Sequence, residues 1–146
     1  MLILINFYVC KKSHLKRRIQ SVARYFLPAT LISYFKHGNI IKYCNRPFKS
    51  SSDMNNALVS NWNKVVAPND IVFHLGDFCF GDRKTWKSFC SKLNGTKYLI
   101  QGNHDRENEI YYEGFELVCD IAQVAIYDNE LEDYSTLILC HYCLTT

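Results

Sequence analysis

Hydrophobic and polar positions follow two different periods along this chain, and each period predicts a different kind of element. Continuous apolar runs such as Ile71–Leu75 predict buried strands of the kind found in parallel sheets. Apolar residues three to four positions apart predict a helix after the capping cluster Ser50–Asp53. The apolar stripe of this helix, which we expect to pack in the core, consists of Met54, Leu58, Trp62 and Val65.

The same patterns give an element order for the whole chain. The predicted strands are Thr30–Phe35, Ile71–Leu75, Lys97–Gln101 and Thr136–Cys140, and Met1–Val9 is predicted as a strand or a short buried segment. The predicted helices are Lys11–Phe26, a turn at Asn39–Cys44, one after Asp53, and one from Asp82 to Asn94-Gly95. From residue 53 onward this order favours an α/β or α+β fold with a largely parallel central sheet.

Polar side chains follow each of the three strongest strands. Asp77 follows the first strand, Asn103 and His104 follow the second, and His141 follows the third. Sites in open α/β sheets form where the carboxyl ends of the strands meet. We therefore expect these side chains to converge at one edge of a sheet.

These residue types can act together on a phosphoester. Asp77 is a hard oxygen ligand, Asn103 offers a carbonyl oxygen and His141 an imidazole nitrogen, a mixture that suits Mn, Fe, Zn or Ni. His104 could donate a proton to a leaving oxygen, with Asp105 orienting it. The pattern predicts metal-assisted phosphoester hydrolysis.

Three motifs, GDFCFGD, YLIQGNHDR and LILCHY, resemble those of the calcineurin-like metallophosphoesterase superfamily. The stretch from His37 to Gly81 is similar to a subgroup of small bacterial and phage phosphoesterases. The resemblance implies a two-sheet sandwich flanked by helices over residues 31–146. It also implies hydrolysis of a small phosphomonoester or phosphodiester substrate with two divalent metal ions.

The resemblance assigns a role to each candidate residue. By resemblance, Asp77 bridges the two metals, and Asn103 and His141 bind the second metal. His104 is the general acid and Asp105 its partner. The residues that the resemblance places near the phosphate are His37 and Arg46.

The sequence departs from the superfamily pattern at two places. The segment that matches the first motif, Asp-x-His, is Ile32–Tyr34, and it contains neither ligand. The final Gly-His-x-His motif is absent, so we expect a domain truncated at its C-terminus. These departures predict an impaired enzyme with one metal ion or none. The alternative is an inactive remnant with at most one weak metal site.

The charge is distributed unevenly. Residues 1–52 hold ten basic residues and no Asp or Glu, whereas all 14 acidic residues follow, in a chain of net charge +3. The basic part includes an unrecognised segment, residues 1–30. It could face a phosphate-bearing partner, an anionic surface or only solvent. A nucleic-acid-binding module is therefore a further alternative, ranked last because no nucleic-acid motif accompanies the charge.

Cysteines and the N-terminus bear on the cellular location. The seven Cys have no regular spacing, which is typical of reduced thiols. The apolar start of the chain precedes its basic residues, the reverse of a secretory signal, and is too short to span a bilayer. We therefore expect a cytoplasmic protein without a membrane partner. His74, inside an apolar strand, is expected in the core.

Overall fold

Two small sheets and three helices make up the mixed α/β fold in the computed structural model, which describes residues 3–8, 18–21, 33–105, 113–128 and 132–142. The strands are β1 (Ile3–Tyr8), β2 (Arg18–Ser21), β3 (Ile71–His74), β4 (Thr96–Ile100), β5 (Leu117–Cys119), β6 (Ile121–Asp128) and β7 (Asp133–Cys140). The helices are α1 (Gly38–Tyr43), α2 (Ser51–Val65) and α3 (Arg83–Cys90). One sheet is antiparallel with the order β2-β1-β6-β7, and the other is parallel with the order β3-β4-β5.

Helix α3 begins directly after Asp82, as the sequence predicts, and α2 begins at Ser51, inside the cluster predicted to precede it. Ser50 caps α2 by accepting a hydrogen bond from Asp53 N at 3.1 Å, and Asp82 caps α3 by accepting one from Thr85 N at 2.9 Å. α3 ends at Cys90, however, before the predicted stop at Asn94-Gly95. Within the described ranges, no helix is long and apolar enough to cross a membrane.

Two hydrophobic clusters lie on opposite faces of the parallel sheet. Alternate residues of β3 and β4 point to opposite sides, as the pleat requires. On one side α2 and α3 cover the sheet in a cluster that includes Trp62, Val66, Val72, Trp86 and Leu99. On the other side the antiparallel sheet covers it in a cluster that includes Phe73, Tyr98, Ile100, Ala122 and Val124.

The predicted core stripe of α2 is correct except at its end. Met54 and Trp62 are buried, and Leu58 packs against the first cluster. Val65 is 51% exposed, and Val66 is buried instead. The helix ends at Val65, and the extended backbone of Val66 turns the next side chain into the core.

The strand predicted at Thr136–Cys140 forms, but in a different sheet from the one expected. β7 pairs antiparallel with β6 along its whole length, from Asp133 opposite Asp128 to Cys140 opposite Ile121. The expectation of one largely parallel sheet is therefore wrong for β7. Its partner β6 lies in a stretch with no clear hydrophobic period, so the sequence did not predict β6 or β5.

The N-terminal part differs most from expectation. β1 confirms the predicted first strand, and it is hydrogen-bonded to β6. The predicted helix Lys11–Phe26 is wrong at Arg18–Ser21, which pairs with β1 as β2; residues 11–17 and 22–26 lie outside the described part. Of the predicted strand Thr30–Phe35, only residues 33–35 are described, and Phe35 makes one parallel bridge to Cys79.

His74 is a buried core histidine, as predicted. Its side chain is fully buried, and Ser33 Oγ lies 2.8 Å from its Nε2. Burial, with a smaller effect from His141, lowers the pKa of His74 to about 3. The imidazole is therefore neutral in the folded protein at ordinary pH.

Acid should destabilise the fold through His74. In the unfolded chain this histidine binds a proton below its ordinary pKa of 6.5, whereas the folded chain binds it only near 3. As pH falls through this window, the free energy of unfolding should drop by up to about 1.4 kcal/mol per pH unit. Chemical denaturation of the wild type and of His74→Gln between pH 4 and 8 measures the difference. Two curves that stay parallel over that range would contradict the expectation.

Candidate functional site

Three chain segments converge beyond the ends of β3, β4 and β7. β3 and β4 run parallel with His74 opposite Leu99, so the turns that follow them are neighbours. β7 belongs to the other sheet and delivers His141 to the same place. The predicted convergence is therefore present, but two sheets build it, not one edge of a single sheet.

Gly76 and Gly102 allow the two turns to touch. A Cβ at Gly76 would lie 2.5 Å from Gly102 N and 2.6 Å from His141 Nδ1. Gly76 also has φ +89°, in the region that favours glycine. No side chain fits between these two turns, and this close approach brings Asp77 within reach of residues 102–105.

Asp105 holds the two turns together through its carboxylate. The carboxylate accepts hydrogen bonds from Asp77 N at 2.7 Å, Phe78 N at 3.1 Å and Gly102 N at 2.9 Å. Burial raises the pKa of Asp105, and the three N–H donors partly offset that rise. We expected Asp105 to orient the His104 ring. Its described hydrogen bonds are instead with backbone N–H groups of the two turns.

Asp77 lies at the centre of the site. Its side chain is buried, its φ of 53° places it in the left-handed region, and its Oδ1 accepts a hydrogen bond from His104 N at 3.1 Å. A non-glycine residue in this region costs about 1–3 kcal/mol and is typical of functional sites. Asp77 Oδ2 lies 3.8 Å from His141 Nε2.

The contacts of His141 fix which ring nitrogen carries a proton. Its Nδ1 lies 2.6 Å from the carbonyl oxygen of Leu75, which can only accept, so Nδ1 is the donor. In this neutral tautomer Nε2 presents a lone pair, and the atom lies 3.1 Å from Asn103 Oδ1 and 3.8 Å from Asp77 Oδ2.

These three side chains offer the kinds of donor atom that divalent cations bind. Ligand bonds of about 2.0–2.2 Å place neighbouring ligand atoms about 3.0–3.5 Å apart. The 3.1 Å separation of His141 Nε2 and Asn103 Oδ1 meets that condition, and the 3.8 Å separation from Asp77 needs only a small contraction. Among the residues that the structure describes, no group of three or more His, Cys, Asp or Glu could hold a metal; the set here includes an amide.

His104 lies at the solvent side of the site. Its backbone is tied to Asp77, its side chain is exposed, and its ring centroid lies 5.1 Å from that of Phe80. An imidazole in this position can exchange a proton with a ligand bound beside Asp77.

Tyr34 is a neighbour of Asp77 that the sequence did not predict as a site residue. Tyr34 N donates to the Asp77 carbonyl oxygen at 3.1 Å, and the phenol lies close enough to the Asp77 carboxylate to respond to its charge. Burial, followed by the negative charge of Asp77, raises the pKa of Tyr34. Tyr34 lies in the segment that matches the Asp-x-His motif, and this position was the one signal in the sequence that could have indicated a site residue.

The structure places His37 and Arg46 around Tyr34, one layer away from Asp77. His37 Nδ1 accepts from Ile40 N at 2.9 Å and so caps α1. The Arg46 guanidinium lies 5.8 Å from the centre of the Tyr34 ring. The described contacts of both residues are with rings, backbone and, for Arg46, the Met54 sulfur at 3.5 Å, so their role near a phosphate stays a prediction.

Comparison with known proteins finds similarity to two proteins without an assigned function. No protein-family model matches the chain. The chain is 44% identical to the uncharacterized protein MJ1445 of Methanocaldococcus jannaschii over 92 residues. The aligned region covers 59% of this chain and 52% of that protein. A crystal structure of the protein of unknown function AQ665 from Aquifex aeolicus is similar with a TM-score of 0.56 and 30% identity, over 75% of this chain and 56% of that one. The chain thus spans about half the length of these similar proteins.

Proposed function

We propose that this protein is a metal-dependent phosphoesterase of the calcineurin-like kind, acting on phosphomonoesters or phosphodiesters. One observation carries the proposal: His141 Nε2 lies 3.1 Å from Asn103 Oδ1 and 3.8 Å from Asp77 Oδ2, while Nδ1 of the same ring meets the Leu75 carbonyl oxygen. Face-to-face sheets with helices on the outer side support the assignment to that superfamily. We further propose a cytoplasmic location, supported by the free thiols of the five cysteines in the described ranges.

The chain's own residues divide the work of hydrolysis. Asp77, Asn103 and His141 would hold the cation, which when bound would activate water and stabilise charge on the phosphoryl group. Water would attack phosphorus and release its proton to solvent as the bond to the leaving oxygen breaks, and His104 would give its ring proton to that oxygen and regain one from solvent. Asp105 keeps the two turns in register so that these groups stay together.

Tyr34 supports a site for one cation. Its phenol lies near the Asp77 carboxylate, whose negative charge adds to the effect of burial in raising the pKa of Tyr34. A phenol whose pKa is raised stays protonated at ordinary pH, so Tyr34 adds no anionic ligand for a second cation. We therefore propose a stoichiometry of one divalent ion per chain.

Calorimetric titration with Mn²⁺ tests the proposed site. We expect one equivalent to bind, and Asp77→Asn and His141→Gln to weaken binding at least about 10- to 100-fold, since the first replaces an anionic ligand with a neutral one and the second removes the imidazole nitrogen. Asp53→Asn, an exposed carboxylate in the first turn of α2, is the matched control and should leave binding unchanged. Two equivalents would contradict the single site, and no binding would refute the proposal.

Hydrolysis of two phosphodiesters tests the role of His104. His104→Gln should bind Mn²⁺ like the wild type but hydrolyse an alkyl phosphodiester about 10²- to 10⁴-fold more slowly, the usual contribution of a general acid. The loss should be smaller for a nitrophenyl phosphodiester, whose leaving group needs little protonation. Equal losses for both substrates would contradict the assignment. Cation binding by the wild type without turnover of either substrate would instead support a non-catalytic cation-binding domain.

A further inference from the structure

An open cavity of about 240 Å³ lies beside the candidate site and takes no part in the proposed chemistry. It is lined by Lys36, His37, Gly38, Asn39 and Phe80. Pockets for drug-sized ligands measure about 300–1,000 Å³, so this cavity suits a single ring system and not a whole large ligand. A cavity of this size could hold one part of a substrate whose phosphoryl group lies at Asp77.

Aromatic rings connect the cavity to the site. Phe80 lines the cavity, and its ring centroid lies 4.3 Å from that of His37 and 5.1 Å from that of His104. Tyr34 stacks on Phe80 with centroids 6.0 Å apart, and Tyr43, 76% exposed, meets His37 edge-on at 6.4 Å. Solvent-accessible aromatic side chains beside a basic surface are the platforms on which nucleobases stack.

The segment that forms the cavity is also strongly basic. It contains Lys36, Lys42, Arg46 and Lys49, and the chain has no Asp or Glu before Asp53. Lys36 has φ 62°, and its backbone N–H donates to the buried Asn55 Oδ1 at 3.1 Å, which fixes the backbone of this cavity wall. An anionic ligand that carries a planar ring can stack on the aromatic side chains and pair its charge with the basic residues.

We propose that the cavity binds the nucleobase of a nucleotide phosphoester, with Phe80 as the stacking residue and Lys36 attracting the phosphate charge. This inference rests on the proposed function, because it names the substrate class of that site. The base occupies the cavity while its phosphoester reaches the groups around Asp77 across the Phe80 ring. A sugar phosphate without a base has nothing to stack there.

Calorimetric binding of adenosine 5′-monophosphate and ribose 5-phosphate, without added metal, tests the inference. We expect the nucleotide to bind about 10-fold more tightly, since the two probes differ by the base. Phe80→Leu should lower nucleotide affinity about 10-fold and leave ribose 5-phosphate unchanged, whereas Lys36→Gln should weaken both. Tyr134→Leu on β7 and Lys64→Gln on α2 are matched controls for the lost ring and the lost charge.

The outcomes separate this inference from the proposed function. Equal affinity for the two probes, or a loss in Tyr134→Leu as large as in Phe80→Leu, would overturn the nucleobase site. Nucleotide preference without hydrolysis of any phosphoester would refute the proposed enzyme and leave the binding site standing. A tetra-adenylate that binds more tightly than the mononucleotide, with the same dependence on Phe80, would identify a strand as the form of nucleotide bound.

Discussion

Replacing Asp105 with alanine is expected to lower the free energy of unfolding by about 4 kcal/mol. The substitution leaves three backbone N–H groups, those of Asp77, Phe78 and Gly102, without their carboxylate acceptor. A buried donor that loses its partner costs about 1–3 kcal/mol, more when the partner is charged. Chemical denaturation at neutral pH measures the loss.

A matched control separates burial from hydrogen bonding alone. Asp82 also accepts a backbone hydrogen bond, from Thr85 N at 2.9 Å, but its side chain is exposed. Asp82→Ala should cost only about 1 kcal/mol, the usual value for a helix N-cap. If the two variants lose the same free energy of unfolding, the buried hydrogen bonds of Asp105 contribute less to stability than proposed.

The same substitution should also weaken Mn²⁺ binding, although Asp105 is not in the ligand set. Its carboxylate fixes the turns that carry Asp77 and Asn103, and ligands held by looser supporting groups typically lose about 10- to 100-fold in affinity. Titration of Asp105→Ala under conditions where it is folded measures the effect. Wild-type affinity in a destabilised variant would limit Asp105 to a structural role.

Replacing Gly76 with alanine should be similarly damaging, also by about 4 kcal/mol. A φ of +89° costs an alanine about 1–3 kcal/mol, and forcing an atom into a filled space adds about 1–3 kcal/mol. The atoms in the way are Gly102 N at 2.5 Å and Cα at 2.6 Å, which are backbone and cannot rotate aside. The turns that carry Asp77 and Asn103 would have to separate.

Gly38→Ala is the control for this substitution. Gly38 is the first residue of α1, and the nearest atom to an added Cβ is Ser51 Cβ at 4.0 Å, an ordinary contact. Alanine also favours helix more than glycine does, so no loss of stability is expected. Thermal denaturation of both variants, together with Mn²⁺ titration, measures the contrast. A Gly76→Ala protein as stable as Gly38→Ala would show that the turns can move apart freely.

Local sequence signals located most of the elements that carry the site. The apolar runs before Gly76 and Gly102 predicted β3 and β4, and the side chains of Ser50 and Asp82 predicted where α2 and α3 begin. These signals lie within a few residues of the structure that they determine. A strand followed by glycine and a polar residue is visible without knowledge of its neighbours in space.

Long-range pairing was not predictable in the same way. The sheet that β7 joins depends on β6, whose sequence has no clear period, and β2 depends on the edge that β1 offers. The contribution of Tyr34 depends on a contact with Asp77, 43 positions away in the chain. No local pattern of charge or hydropathy marks a contact of that separation.

The sequence by itself determined which side chains stand at strand ends: Asp77, Asn103, His104 and His141 follow apolar runs that must be buried, and buried strands end in turns. Only the tertiary structure decided what those side chains do. Packing of two sheets brings His141 to Asn103, and the Leu75 carbonyl selects its tautomer. The same packing turns the Asp105 carboxylate onto three backbone N–H groups and away from the expected role of orienting the His104 ring. A buried carboxylate accepts hydrogen bonds from the nearest donors. Here the contact between the turns that contain Gly76 and Gly102 determines which donors are nearest.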